Sequence, residues 1–146
     1  MGLNLMESAL MYEAMGGTPL GLYCFGTQAP DAGNIEILHQ YGTEAQKEKY
    51  LRPAIAGRIR SCFSMTEVEL PGSNPVMMGT TALREGDQYV INGHKWFTSS
   101  ADGAAFAIVM AVTDPEAPPY QRTSMIIVPT DNRSEERRVG NDCRSH

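Results

Sequence analysis

Residues 57–66, GRIRSCFSMT, decide how the chain is built, because the hydrophobic pattern changes its period across them. Upstream of Gly57 the apolar residues recur at helical spacing; downstream they run or alternate as strands do. Immediately upstream, EAQKEKYLRPAIAG reads as a helix that must bend or restart around Pro53, which has no N–H to donate. Thr43-Glu44-Ala45-Gln46 at its start predicts a capping box, in which the Thr43 hydroxyl accepts from the Gln46 N–H and the Gln46 amide reaches back. Further back, Asn34 is placed to cap a short helix, IEILHQY, which Gly42 closes. Ala29-Pro30-Asp31-Ala32-Gly33 interrupts the chain before it. Thr18-Pro19 opens a helix through Cys24 and Phe25, and Leu3, Met6, Leu10 and Ala14 mark a first helix ended by Gly16-Gly17.

Downstream, strands are expected at residues 59–66, 80–84, 88–91, 94–99, 106–112 and 124–128. Glu85-Gly86-Asp87 is the turn between the second and third. Asn92-Gly93 is a hairpin signal leading into residues 94–99, and a Pro-rich loop over residues 114–120 separates the last two. The longest apolar run, residues 104–112, is too short for a bilayer and reads as a buried strand. The class is therefore α+β: helical hairpins followed by an incomplete antiparallel β-sandwich or barrel-like domain. The expected division is residues 1–58, residues 59–131 and a tail of residues 132–146.

That tail is set apart by its own composition. RSEERRVGNDCRSH is highly charged, has no hydrophobic period, and follows strand-like SMIIVPT abruptly. It resembles the conceptual translation of a sequencing-adapter oligonucleotide, so the expectation is that native sequence ends at about Asn132; the alternative is a genuine flexible, charged C-terminal tail. The Asn132-Arg133-Ser134 sequon then carries no glycosylation signal. Arg133, Arg137, Arg138 and Arg144 outnumber Glu135, Glu136 and Asp142 there, so the body is more acidic than the whole.

With a formal charge of −5 and no basic stripe with interleaved aromatics, nucleic acid is not an expected partner. The three cysteines, Cys24, Cys62 and Cys143, have no metal-ligand or disulfide-framework spacing, which fits a reducing compartment. Cys24 and Cys62 are expected as core thiols. The N-terminal residues carry Glu7 and Glu13 and no early basic residue, unlike a secretory signal.

No phosphate-binding glycine loop, nucleophile elbow or His–nucleophile pair stands out. His39 and His94 lack partners, so surface or hairpin roles are expected for them. Two segments remain, CFSMTEVELPGSN (residues 62–74) and NGHKWFTSSADG (residues 92–103). The first is a strand opening into a polar loop freed by Gly72, able to offer N–H groups and the Thr66 and Ser73 hydroxyls to an anionic or heteroaromatic ligand. The second puts Trp96 two residues from Thr98, on one face if the segment is a strand: an indole beside a hydroxyl, a sensible wall for a planar group. Taken alone, each segment reads first as structural: Trp96 is more often core, and Thr66 and Ser73 more often turn residues.

YGTEAQKEKYL, SMTE…PGSN and YVINGHKWFTS, in this order and spacing, resemble the acyl-CoA dehydrogenase family over nearly all of residues 1–131. The resemblance implies an N-terminal helical domain followed by part of a middle β domain that holds FAD against a C-terminal four-helix bundle. It implies that Phe63, Ser64, Met65 and Thr66 lie along the isoalloxazine, with the Thr66 hydroxyl at its pyrimidine edge. Gly72 and Ser73 would approach the cofactor's phosphates, with Ser73 also near the acyl-CoA. Trp96, with Phe97 beside it, would pack on the flavin, and Thr98 would bond near N5, the hydride acceptor. Val68 stands where the family usually has proline, the loop before Gly72 is a residue longer, and Asn74 replaces a frequent aspartate. The longer loop is similar to the branch that includes the kinase-like fusion dehydrogenases of animals.

The implied activity is α,β-dehydrogenation of an acyl-CoA in fatty-acid β-oxidation, with electrons passed to an electron-transfer flavoprotein. No residue here is expected to be the catalytic base, which in the family is a glutamate of the C-terminal bundle; Glu67 and Glu69 are read as a loop contact and a solvated side chain. The expected chain is thus an inactive fragment of a homo-oligomeric parent, dimer or tetramer, with no membrane span. A bacterial cytoplasmic location is expected, or a mitochondrial or peroxisomal one if eukaryotic. Two alternatives stand beside this reading. One is an acyl-CoA oxidase or nitroalkane-oxidase-like enzyme of the same fold; the other is a non-catalytic β-sandwich module, in which Trp96 and Thr98 would both point into the core.

Overall fold

Helices give way to strands between Gly57 and Arg58, where the computed structural model divides into two compact units. It describes residues 3–72 and 74–131; the expected roles of Ser73 and of the tail from residue 132 lie outside the described residues.

In the first unit, α1 (Leu5–Gly16) is capped by Asn4, whose side chain accepts from the Glu7 N–H while the Glu7 carboxylate takes the Asn4 N–H. α2 (Gly21–Cys24) is a short turn that starts later than Thr18-Pro19 predicts; the Thr18 hydroxyl accepts from Leu20 N–H just ahead of it. α3 (Asp31–Tyr41) starts three residues before the expected cap, so Asn34 lies within the helix and is buried. Gly42 ends α3 as expected, its N–H donating to Leu38 O. The Thr43–Gln46 capping box forms in both directions and starts α4 (Glu44–Gln46). A π-helical turn, Lys47–Leu51, then leads into α5 (Arg52–Ile55). The bend expected at Pro53 is thus taken up one turn earlier, where widening the helical bond pattern accommodates the missing proline N–H.

The second unit is a five-stranded sheet that does not close: β1 (Ser61–Ser64), β2 (Thr81–Glu85), β3 (Gln88–Asn92), β4 (Phe106–Val112) and β5 (Thr123–Pro129). The pairing is mixed. β2–β3 and β4–β5 are antiparallel, whereas β1 runs parallel to β4, and Thr81 pairs parallel with Val112. The long connection between β1 and β4 allows this, since parallel neighbours need a crossover and only β2–β3 and β4–β5 are linked closely enough for hairpin geometry.

β4 is the hub, and all but its last residue are buried, which explains its unbroken apolar run. Ala107, Val109 and Ala111 pack on one side with Cys62, Ala82 and Ile91, while Phe106 and Ile108 are buried on the other. Of the two thiols expected in the core, Cys62 is there, but Cys24 is exposed, because α2 is too short to bury its apolar side chains.

The tight hairpin lies at Gly86-Asp87, between β2 and β3, and not at Asn92-Gly93. Gly93 serves another purpose: a Cβ there would come within 2.7 Å of the Thr80 Cα, so the chain leaves β3 in backbone contact with the start of β2. Residues 94–99 do not form the expected strand. They make one antiparallel bridge, Lys95 to Glu67, after which Phe97 turns to a left-handed φ of 51° and breaks the extended path.

Candidate functional site

The site lies where the chain leaves β1 and meets the segment after β3. Thr66 O accepts from Trp96 N–H at 2.8 Å, which brings together the two segments singled out by sequence. Along the first, Phe63 in β1 and Met65 and Thr66 just beyond it are half-buried. Among the described strands, β1 pairs with β4. Gly72 rests directly on Thr66: a Cβ would fall 2.4 Å from Thr66 Cγ2 and 3.0 Å from its Cα, so only glycine lets the loop lie this close.

Along the second segment, Trp96 is 37% and Phe97 80% exposed, with their rings edge-to-face at 5.5 Å. A large aromatic left open on a left-handed backbone turn is a costly arrangement for a folding core. Thr98 differs: it is buried, and its hydroxyl donates to Ser64 Oγ at 3.3 Å. Trp96 and Thr98 therefore differ in burial, with Phe97 at its left-handed φ between them. The core-facing prediction of a binding module holds for Thr98 and fails for Trp96.

Two residues that join these segments were not assigned together from sequence. Glu67 and Lys95 form an ion pair at 3.0 Å with both side chains 5% exposed. Lys95 Nζ also donates to Met65 O at 3.0 Å. The Glu67 carboxylate accepts from the N–H groups of Gly79 (2.7 Å) and Thr80 (2.8 Å) and from the Thr80 hydroxyl. One carboxylate thus ties the end of β1, the start of β2 and the segment after β3. Burial works to raise the Glu67 pKa, but the hydrogen bonds from Thr80, Gly79 and Lys95 outweigh it and hold the carboxyl below its ordinary value. Burial also holds the Lys95 ammonium below the usual lysine range, with Glu67 opposing. A carboxylate so committed is a structural anchor, in line with its reading as a loop contact, and no proton acceptor for substrate. Glu69 is exposed and lies 3.5 Å from His94 Nδ1, and the His94 ring meets Trp96 edge-on at 6.0 Å. Lys95 had no readable signal, since its partner is 28 residues away and it sits in an otherwise exposed-looking run.

Among the described residues no cluster of side chains suits a metal ion, and no helix is long and apolar enough to cross a membrane.

The family description "Acyl-CoA dehydrogenase, N-terminal domain" matches residues 1–58, and "Acyl-CoA dehydrogenase, middle domain" matches residues 62–142. The chain is 44% identical over 133 residues to the mouse (Mus musculus) protein named acyl-CoA dehydrogenase family member 10, covering 90% of this chain and 12% of the mouse protein. A solved structure from Mycobacterium abscessus, assigned as an acyl-CoA dehydrogenase, is 42% identical with a TM-score of 0.81, over 89% of this chain and 32% of that one. A glutaryl-CoA dehydrogenase from Mycobacterium smegmatis, solved in complex with FADH2, is 34% identical with a TM-score of 0.59, over 67% of this chain and 24% of that one. The chain thus spans about a third or less of each of these relatives.

Proposed function

The chain belongs to the acyl-CoA dehydrogenase family, and from that premise we propose that it forms one wall of the flavin site of an enzyme that dehydrogenates acyl-CoA thioesters between the α and β carbons. The observation that carries this reading is the junction of Thr66 and Trp96, with Gly72 seated on the one and the open Trp96–Phe97 aromatic pair beside the other. These residues fit FAD: the half-buried Met65 and Thr66 beyond β1 suit a polar heteroaromatic rim, and the indole suits a flat ring. Phe63, Met65, Thr66, Trp96, Phe97 and Thr98 would hold the isoalloxazine, and Gly72 with Ser73 would take the phosphates, Ser73 also touching the acyl-CoA.

When bound, the flavin supplies the hydride acceptor. The chain's own residues do the positioning. Thr66 would present its backbone and hydroxyl to the ring's edge, the aromatic pair would exclude water from its face, and Gly72 keeps the loop backbone close to Thr66. Thr98 holds its hydroxyl against Ser64 on the buried side. Glu67 is not assigned to remove the α-proton, because it is committed to Lys95, Gly79 and Thr80. Electrons would then pass to an electron-transfer flavoprotein, and the enzyme would work as a homo-oligomer, dimer or tetramer, in the bacterial cytoplasm, or in mitochondria or peroxisomes if eukaryotic. The test is anaerobic titration of the full-length, flavin-containing protein with acyl-CoA thioesters. Loss of the oxidised-flavin absorbance supports the reading, and a purified full-length protein without flavin overturns it.

A further inference from the structure

The buried ion pair does more than fasten two segments together, because of which carbonyl Lys95 chooses. Its Nζ donates both to Glu67 Oε1 and to Met65 O, each at 3.0 Å, with the side chain almost fully buried. The Met65 carbonyl and the Thr66 N–H belong to one peptide unit. A full positive charge on that carbonyl draws electron density through the amide and makes the Thr66 N–H a stronger donor, and low local dielectric magnifies the effect. Glu67 sets the size of the effect, since it neutralises part of the ammonium's field while keeping Lys95 in place through the bridge between residues 67 and 95.

We propose that Lys95 is a positioning residue that polarises the Met65–Thr66 peptide toward the flavin, so that the Glu67–Lys95 pair tunes how readily the bound ring accepts electrons. The inference rests on the flavin-site reading above. A donor strengthened at the ring's polar edge favours the reduced ring, on which negative charge accumulates. Removing the ammonium should therefore lower the flavin's reduction potential. Removing the carboxylate while keeping the ammonium should raise it. A purely structural role for the pair gives no such opposition of sign.

The experiment is spectroelectrochemical titration of the flavin in the full-length protein and in Lys95→Gln, Glu67→Gln and Lys95→Arg. Lys95→Gln is expected to shift the ratio of reduced to oxidised flavin roughly tenfold toward oxidised at fixed potential, about 30 mV for a two-electron couple. Glu67→Gln is expected to shift it the other way, and Lys95→Arg to return it toward the parent value. If Lys95→Gln does not fold, the double variant Glu67→Gln/Lys95→Met replaces it and should also fall below the parent. Variants that bind flavin with unchanged potentials, or that all move in one direction, overturn the inference and leave the flavin site standing. A full-length parent that binds no flavin overturns the site itself.

Discussion

Glu67 and Lys95 should differ sharply in what their loss costs, although they are partners in one ion pair. At 3.0 Å their attraction is about 5–6 kcal/mol at an effective dielectric of ~20, and the desolvation of two nearly buried charges offsets much of it. The net effect of a substitution is therefore set by what is left behind. In Lys95→Met the carboxylate keeps Gly79 N–H, Thr80 N–H and the Thr80 hydroxyl. The loss is the ammonium's two charge-assisted hydrogen bonds, to Glu67 Oε1 and Met65 O, offset in part by no longer burying its charge, a net of roughly 1.5–3 kcal/mol. In Glu67→Gln the ammonium stays buried with only Met65 O and a neutral amide, and one of the Gly79 and Thr80 donors faces an NH2 group. That leaves an uncompensated buried charge, about 3–5 kcal/mol. The double variant Glu67→Gln/Lys95→Met removes the stranded ammonium and should be more stable than Glu67→Gln alone. Urea denaturation of the four proteins, followed by circular dichroism, closes the double-mutant cycle. Additive losses, or a Lys95→Met as costly as Glu67→Gln, would refute this account of the pair.

Other outcomes follow from the same geometry. Because the folded state holds the Glu67 pKa below its ordinary value of 4.5, its contribution is fully present above that value and is lost as pH falls through the lowered folded pKa; the urea midpoint should drop on acidification by more in the parent than in Glu67→Gln. Lys95 acts at the other end: its folded pKa is also lowered, so the penalty for burying its charge is relieved as pH rises into the alkaline range, and Lys95→Met should abolish that relief. Phe106→Ala, at a fully buried position of β4, should cost about 3–5 kcal/mol in the same denaturation assay. Gly72→Ala should weaken flavin binding measurably by fluorescence titration of the full-length protein, because the new methyl collides with Thr66 and lifts the loop. The 146-residue chain by itself should show no dehydrogenase activity and bind FAD weakly; stoichiometric yellow flavin in the purified chain would contradict this.

The elements that sequence located well are those whose signals are local. The Thr43–Gln46 box needs only four consecutive residues, and it forms as read. The Gly86-Asp87 turn and the apolar run of β4 are similarly short-range. Asn34 misled because a capping residue type also suits a buried position inside a helix when its side chain finds a partner. Asn92-Gly93 misled for a related reason: its glycine is required by the approach of Thr80, and no turn formula encodes a contact made across the sheet.

For the site, the sequence alone determined the two segments and, through their order, the family to which they point. The change of period at residues 57–66 fixed where helices stop and strands begin, since hydrophobic periodicity is a property of neighbours along the chain. Tertiary structure decided the rest. It made β1 parallel to β4, split Trp96 from Thr98 at the left-handed Phe97, and buried Glu67 against Lys95. Each of these depends on backbone meeting backbone across tens of residues, and the free energy of such a meeting resides in the contact rather than in either stretch of sequence.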